Sequence, residues 1–220
     1  VTDVAHYPEM GYTEVRFSDH LDSLDLLFVK KINTPFALEL FGFEFLNDLP
    51  GITYTAIGIN GASLPTYLAN TNFSRDLQLR PPDLFILSVG TNDAHCSYDA
   101  FDPLVYKANL EKLILQILES NPNCAILLTV PNDDYYMRKY PNRNTARQRE
   151  VIFQLAAQYQ MAVWDFYGIM GELGSSKTWK TAGLMQADYV HFTGTGYHLK
   201  GTLLIEAFKK NLSSLHNLRN

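Results

Sequence analysis

The chain has 220 residues, of which 46% are hydrophobic, 13% aromatic and 19% charged, with a formal net charge of −5. That much apolar and aromatic material excludes wholesale disorder, and the acidic balance, with no run of Lys or Arg, argues against nucleic acid or an anionic membrane surface as partner. The longest apolar runs are too short to span a bilayer, and two cysteines are too few for a disulfide scaffold or a thiolate cage.

Residues 1–50 read as extended segments. Glu14–Phe17, Leu24–Val29 and Phe36–Phe45 have strand character, with Pro35 and Gly42 as punctuation and no strong helix. They predict the end of a small antiparallel β module, and Asn47-Asp48-Leu49-Pro50-Gly51 predicts its exit turn, which puts a domain boundary near residue 50.

From Gly51 the rhythm changes. Four short apolar runs, Ile52–Ile57, Leu84–Val89, Ala125–Val130 and Met161–Phe166, alternate with amphipathic stretches. Three of the runs are almost continuously apolar, as parallel strands covered on both faces require. One helix is predicted from Asp102-Pro103, a cap followed by Pro at the first helical position, to Asn121-Pro122. Others are predicted from about Thr145 to Gln160 and from about Thr195 to Leu212. The βαβα order predicts a three-layer α/β/α sandwich with a mainly parallel sheet.

Ligands of such sheets bind beyond the carboxyl ends of the strands. Gly58-Ile59-Asn60-Gly61, Gly90-Thr91-Asn92-Asp93 and Asn132-Asp133-Asp134 follow successive runs, and Asp188-Tyr189-Val190-His191 precedes the last helix. Singly, each suits an ordinary turn or a helix start. Together they contain the parts of ester hydrolysis. Three residues' separation lets the Asp188 carboxylate hold one nitrogen of His191 while the other faces substrate. Asn92, fixed at a strand end, can aim its amide N–H at an oxyanion, and the backbone N–H of Gly61 can do the same because no side chain blocks close approach.

Gly58–Ala62, Gly90–Asp93 and Asp188–Thr193 resemble the second, third and fifth blocks of the SGNH (GDSL-type) hydrolases, a likeness running from about Gly51 to Leu212. Trp164-Asp165-Phe166-Tyr167, Met170-Gly171 and Gly196-Tyr197 resemble a bacterial subset that includes peptidoglycan O-acetylesterases, in which a β-sandwich carbohydrate-binding module separates the nucleophile block from the rest. The resemblance implies a flavodoxin-like hydrolase domain over 51–220 and the end of a β-rich module over 1–50. It also implies His191 as general base, Asp188 as its orienting partner, and Gly61 and Asn92 as oxyanion donors; between Gly58 and Gly61, the latter is preferred beside the helix start. It implies no metal or other cofactor, an acylated carbohydrate or peptidoglycan as substrate, and a secreted, periplasmic or cell-surface location.

The family's first block, an apolar strand ending in Gly-Asp-Ser, does not occur in the chain. In the family that strand lies between those expected here at Ile52–Ile57 and Leu84–Val89, so the nucleophile is expected on polypeptide upstream of Val1. The nearest internal imitation is Val15-Arg16-Phe17-Ser18-Asp19-His20, with Ser18 as nucleophile and Leu21–Ile32 as the following helix. It would place Glu14 and Arg16 in a doubly covered strand, where unpaired charge is costly. Ser63 reads as a helix cap and Ser88 as structural.

Other polar residues have simpler readings. His95, His191, Asp93, Asp133 and Asp134 lack tight ligand spacing for a metal, and turn or capping roles suit Asp133 and Asp134. His6, His20, His198 and His216 read as surface or packing residues. Cys96 and Cys124 belong at opposite ends of strands about 20 Å long and should not bridge. Tyr135, Tyr136, Arg138 and Tyr140 suit either a sugar-binding rim or a loop packed on itself. The functional expectation is a serine esterase that removes acetyl or other short acyl groups from carbohydrate or peptidoglycan. The alternatives are a catalytically inactive polysaccharide-binding relative and a lipid or thioester hydrolase, the last requiring an apolar channel rather than a shallow polar groove.

Overall fold

The structure, a computed structural model, describes residues 1–29 and 39–218, with side chains described to residue 211. The chain divides into two compact units, Val1–Gly58 and Ile59–Asn220, a boundary later than the one expected near residue 50.

In the first unit, β1 (Asp3–Tyr7) pairs antiparallel with β2 (Tyr12–Arg16). Gly11, at φ +74°, closes the turn, and the Tyr7 and Tyr12 rings stack at 4.5 Å across the hairpin. The strand expected at Glu14–Phe17 is therefore present in large part as β2. Leu24–Val29 is not a strand, nor are residues 39–45 of the expected Phe36–Phe45; Phe36, Ala37 and Leu38, with Pro35, lie outside the described residues. Ile52–Ile57, expected as a parallel strand, has no regular structure and no ladder partner among the described residues. A strand is defined by hydrogen bonds to a neighbour, and apolar sequence alone does not supply one.

The second unit carries the parallel sheet. β3 (Leu84–Leu87), β4 (Ala125–Val130) and β7 (Ala162–Asp165) lie in the order β3-β4-β7, with Leu87 opposite Leu128 and Leu128 opposite Val163. Strand period assigns each side chain a face. Ile126, Leu128 and Val130 join a core with Leu110, Leu113, Ile114 and Ile117 of α4 (Pro103–Ser120) and with Val151, Ile152 and Leu155 of α5 (Asn144–Tyr159). Leu127 faces the other way, into a cluster with Trp164, Phe166, Met185 and Phe192 against which Leu203, Leu204 and Phe208 of α8 (Gly194–Leu218) pack. Helices thus cover both faces of a parallel sheet, the predicted three-layer α/β/α arrangement.

Helix starts follow the sequence signals. The Asp102 carboxylate accepts from Leu104 N at 2.8 Å and Val105 N at 3.4 Å, with Pro103 next in the chain. α5 begins within one residue of the expected Thr145, and α8 begins one residue before Thr195 and runs on beyond the expected Leu212. Between β4 and α5 sits a small hairpin, β5 (Tyr135–Tyr136) and β6 (Tyr140–Pro141). Both cysteines are free thiols.

Candidate active site

Two turns, one leading into a short helix and one following β3, are tied together by side chains. The first leads through Gly61, at φ +74°, and the cap residue Ser63 into α1 (Leu64–Leu68). The second starts at Gly90, at φ +117°, and forms α3 (Thr91–Ala94). A Cβ on Gly90 would lie 2.7 Å from the Tyr106 hydroxyl and 3.1 Å from Gln148 Nε2, so glycine is required there both by backbone angle and by space. Gln148 Nε2 donates to the Gly90 carbonyl at 2.7 Å and pins the turn from α5. Asn92 Nδ2 donates to the Ala62 carbonyl at 2.7 Å, and Asp93 accepts from Leu64 N at 3.0 Å. An amide nitrogen has two hydrogens, so Asn92 retains one for a ligand. Burial pushes the Asp93 carboxyl up, and the bond from Leu64 N opposes it.

The Asp188–His191 turn sits at the tip of a hairpin closed by the pairing of Met185 with Phe192. Gln186 N donates to the His191 carbonyl at 2.8 Å, and Thr193 N to the Leu184 carbonyl at 3.0 Å. Tyr189 adopts φ 58°, which lets the Asp188 carboxylate reach forward along its own chain. One oxygen accepts from Val190 N at 2.9 Å and His191 N at 3.0 Å. The other accepts from His191 Nδ1 at 2.8 Å. Partial burial raises the Asp188 pKa, but these bonds, from Val190 N, the His191 ring and His191 N, outweigh it and hold the acid at about 2. An ionised carboxylate only accepts, so Nδ1 carries the proton and Nε2 is left as the basic nitrogen. Asn132 Nδ2 donates to the Val190 carbonyl at 3.3 Å, joining this turn to the end of β4.

These turns meet at one groove of about 390 Å³ at the carboxyl ends of the strands. Gly61, Asn92, Asp188 and His191 all line it, four residues that the sequence singled out from stretches far apart. Ser88 lines it too; it stands one residue beyond β3 and is exposed, so the structural role expected of it does not describe its position. Among the described residues His191 Nδ1 bonds to Asp188 and no serine hydroxyl bonds to the ring. Ser18 follows β2 at an exposed bend, its Oγ donating to Asp19 at 2.8 Å. Among the described residues β2 pairs only with β1, and residues 21–29 are not helical, so Ser18 lacks the doubly covered strand and following helix that a nucleophile elbow needs.

Of the two acids expected in turn or capping roles, Asp133 caps a helix and Asp134 does not. Asp133 is buried and its carboxylate accepts from Ser176 N at 2.9 Å and Ser176 Oγ at 2.6 Å, capping α7 (Ser175–Thr181). Asp134 is buried 3.7 Å from His95 Nδ1, and burial pushes its carboxyl up to about 7. Among the described residues no three His, Cys, Asp or Glu side chains gather as metal ligands, and no helix is long and apolar enough to cross a membrane. Tyr135, Tyr136 and Arg138 divide between the two roles expected of their segment. Tyr135 stacks on Tyr189 at 4.7 Å and Tyr136 meets the His95 ring edge-on at 5.3 Å, both packed inward, while Arg138 lines the groove. His95 and Lys200 also line it and were not marked for this site by local sequence.

A parallel sheet with a histidine–aspartate pair and a strand-end asparagine defines a hydrolase architecture, and residues 41–199 match the GDSL-like lipase/acylhydrolase family. The chain belongs to that family. Among solved structures it is similar to a peptidoglycan O-acetylesterase, with 26% identity and a TM-score of 0.67 over 73% of this chain and 47% of that one. The chain thus spans about half the length of that esterase. It shares its fold with the lipase/acylhydrolase from Enterococcus faecalis, at 24% identity and TM-score 0.52 over 69% of this chain and 72% of that one. The same holds for an acetyl xylan esterase, at 17% identity and TM-score 0.54 over 69% and 78% of the respective chains. No curated protein matches the chain.

Proposed function

We propose that the chain is the hydrolase domain of a serine esterase that removes acetyl or other short acyl groups from carbohydrate or peptidoglycan. The observation that carries this reading is the 2.8 Å bond between His191 Nδ1 and an Asp188 held ionised, in a groove that Asn92 and Gly61 also line. The groove's walls include Asn60, Thr91, Asn92, His95 and Asn132, which suit a hydroxyl-rich glycan ester better than a long acyl chain. The similarity to a peptidoglycan O-acetylesterase supports the same substrate class.

In this mechanism a serine hydroxyl attacks the acyl carbonyl while His191 Nε2 takes its proton. The carbonyl oxygen becomes an oxyanion and receives the Gly61 backbone N–H and the second Nδ2 hydrogen of Asn92. Collapse breaks the ester bond, and His191 returns the proton to the departing sugar alkoxide. Water, deprotonated by the same imidazole, then attacks the acyl-serine and releases the carboxylic acid. The serine is proposed to lie on polypeptide upstream of Val1, on a strand laid against the side of β3 that has no ladder partner among the described residues.

Acetate release from p-nitrophenyl acetate by the full-length protein tests this. His191→Ala should lower kcat/KM by about 100-fold or more, and Asn92→Ala by a comparable factor. Unchanged activity in His191→Ala rejects the assigned base. A serine-directed phosphonate, with the labelled peptide identified by mass spectrometry, locates the nucleophile; a label on Ser88 would overturn its placement upstream.

A further inference from the structure

The acidic chain has a groove whose unpaired charges are positive. Asp188 is the groove's acid, and its charge is met by two backbone N–H groups and the imidazole. Arg138 and Lys200 line the same groove, and neither has a carboxylate within ion-pair distance among the described residues. Other arginines meet a carboxylate or a ring. Arg16 pairs with Glu14, Arg75 with Asp76, and Arg149 with both Asp165 and Glu172; Arg143 and Arg147 lie over the Tyr98 ring.

The backbone at Arg138 sharpens the point. Met137 and Arg138, at φ 53° and 59°, form with Lys139 the turn between β5 and β6. Two left-handed residues suit a hairpin turn, but Asn and Gly take that conformation readily, whereas longer side chains do so at a cost. The arginine repays that strain with no ion pair and no ring contact of its own. The hairpin is nevertheless held firmly, by Tyr135 on Tyr189 and Tyr136 on His95, so the turn presents Arg138 from a fixed base. Lys200, on α8, is half-buried with its ammonium 4.8 Å from the centre of the Phe166 ring and 5.6 Å from that of Phe192. Ring faces hold a cation without neutralising it.

We propose that the substrate is an anionic glycan, with a carboxylate close to the scissile ester bound between Arg138 and Lys200. This deepens the esterase reading of the same groove and rests on it for the presence of the ester. A guanidinium fork and an ammonium together supply directed donors and a point charge for one carboxylate.

The test compares two acetylated oligosaccharides of equal length, one built of uronate residues and one of neutral xylose, with the full-length protein. The ratio of kcat/KM, uronate over xylose, should be about tenfold or more in the wild type. Arg138→Gln and Lys200→Met should each bring that ratio towards one, and Arg138→Lys should restore part of it. A wild-type ratio near one, or a ratio that both variants leave unchanged, overturns the proposal. If neither oligosaccharide nor p-nitrophenyl acetate is hydrolysed, the esterase reading fails, and titration with the deacetylated oligosaccharides decides this inference separately. Tighter, salt-sensitive binding of the uronate form, weakened by Arg138→Gln, supports it; equal binding of both forms overturns it.

Discussion

Both units of the chain carry long apolar runs, and among the described residues only one of them buries its own. In the Ile59–Asn220 unit Leu128 is 1% exposed, with strands on either side and a helix layer over each face. In the Val1–Gly58 unit Phe41 is 94% exposed and Ile52 98%. The runs are alike in composition; they differ in whether a ladder partner and a covering layer exist. Apolar sequence sets the potential for burial, and long-range pairing realises it.

The comparison sharpens most through pH, because the burial that favours apolar groups disfavours the charged form of an acid. Asp134 in the packed unit is held at about 7, above the value near 4 of an unfolded aspartate. The folded state therefore binds the extra proton between those values. Its stability is greatest below pH ~4, falls as pH rises through ~7, and is flat above that. Asp134→Asn removes this loss, so the variant should gain up to about 4 kcal/mol relative to wild type between pH 4 and 8. Urea titrations across that range, followed by tryptophan fluorescence, read it directly, since Trp164 and Trp179 both lie in the packed unit. A difference that does not change with pH would contradict the buried state of this acid.

Next in size is Leu128→Ala, which should cost about 3 kcal/mol by the same fluorescence assay, the sum of lost burial and the cavity left in a close-packed core. Smallest is Ile52→Ala, which should stay within about 0.5 kcal/mol. A loss at Ile52 approaching that at Leu128 would break the comparison, for it would mean that the exposed segment is covered in solution.

The parallel strands of the packed unit were legible because coverage on both faces leaves a continuous apolar signature, as in Ala125–Val130. The helix starting at Pro103 was legible because its cap and first residue are local signals. Ile52–Ile57 reads much like those strands and is not one, since the partner that makes a strand cannot be seen in the strand's own residues. The candidate site divides the same way. Asn92 stood out as a turn residue at a strand end, Gly61 as a glycine beside a helix start, and Asp188 and His191 by their three-residue spacing before a helix. Lys200 did not, because one lysine on a helix carries no local mark; only the fold sets it above Phe166 and Phe192.

The Asp188–His191 pair is made within four consecutive residues, its acid bonded to the amides of its own turn. The alignment of acid and imidazole is therefore insulated from breathing of the sheet. The Gly61–Asn92 pair has no such insulation: it spans two segments about thirty positions apart, stapled by two cross-links at Ala62 and Leu64. Gentle loosening of the fold would accordingly blunt recognition of the transition state while the proton-shuttling apparatus stayed intact.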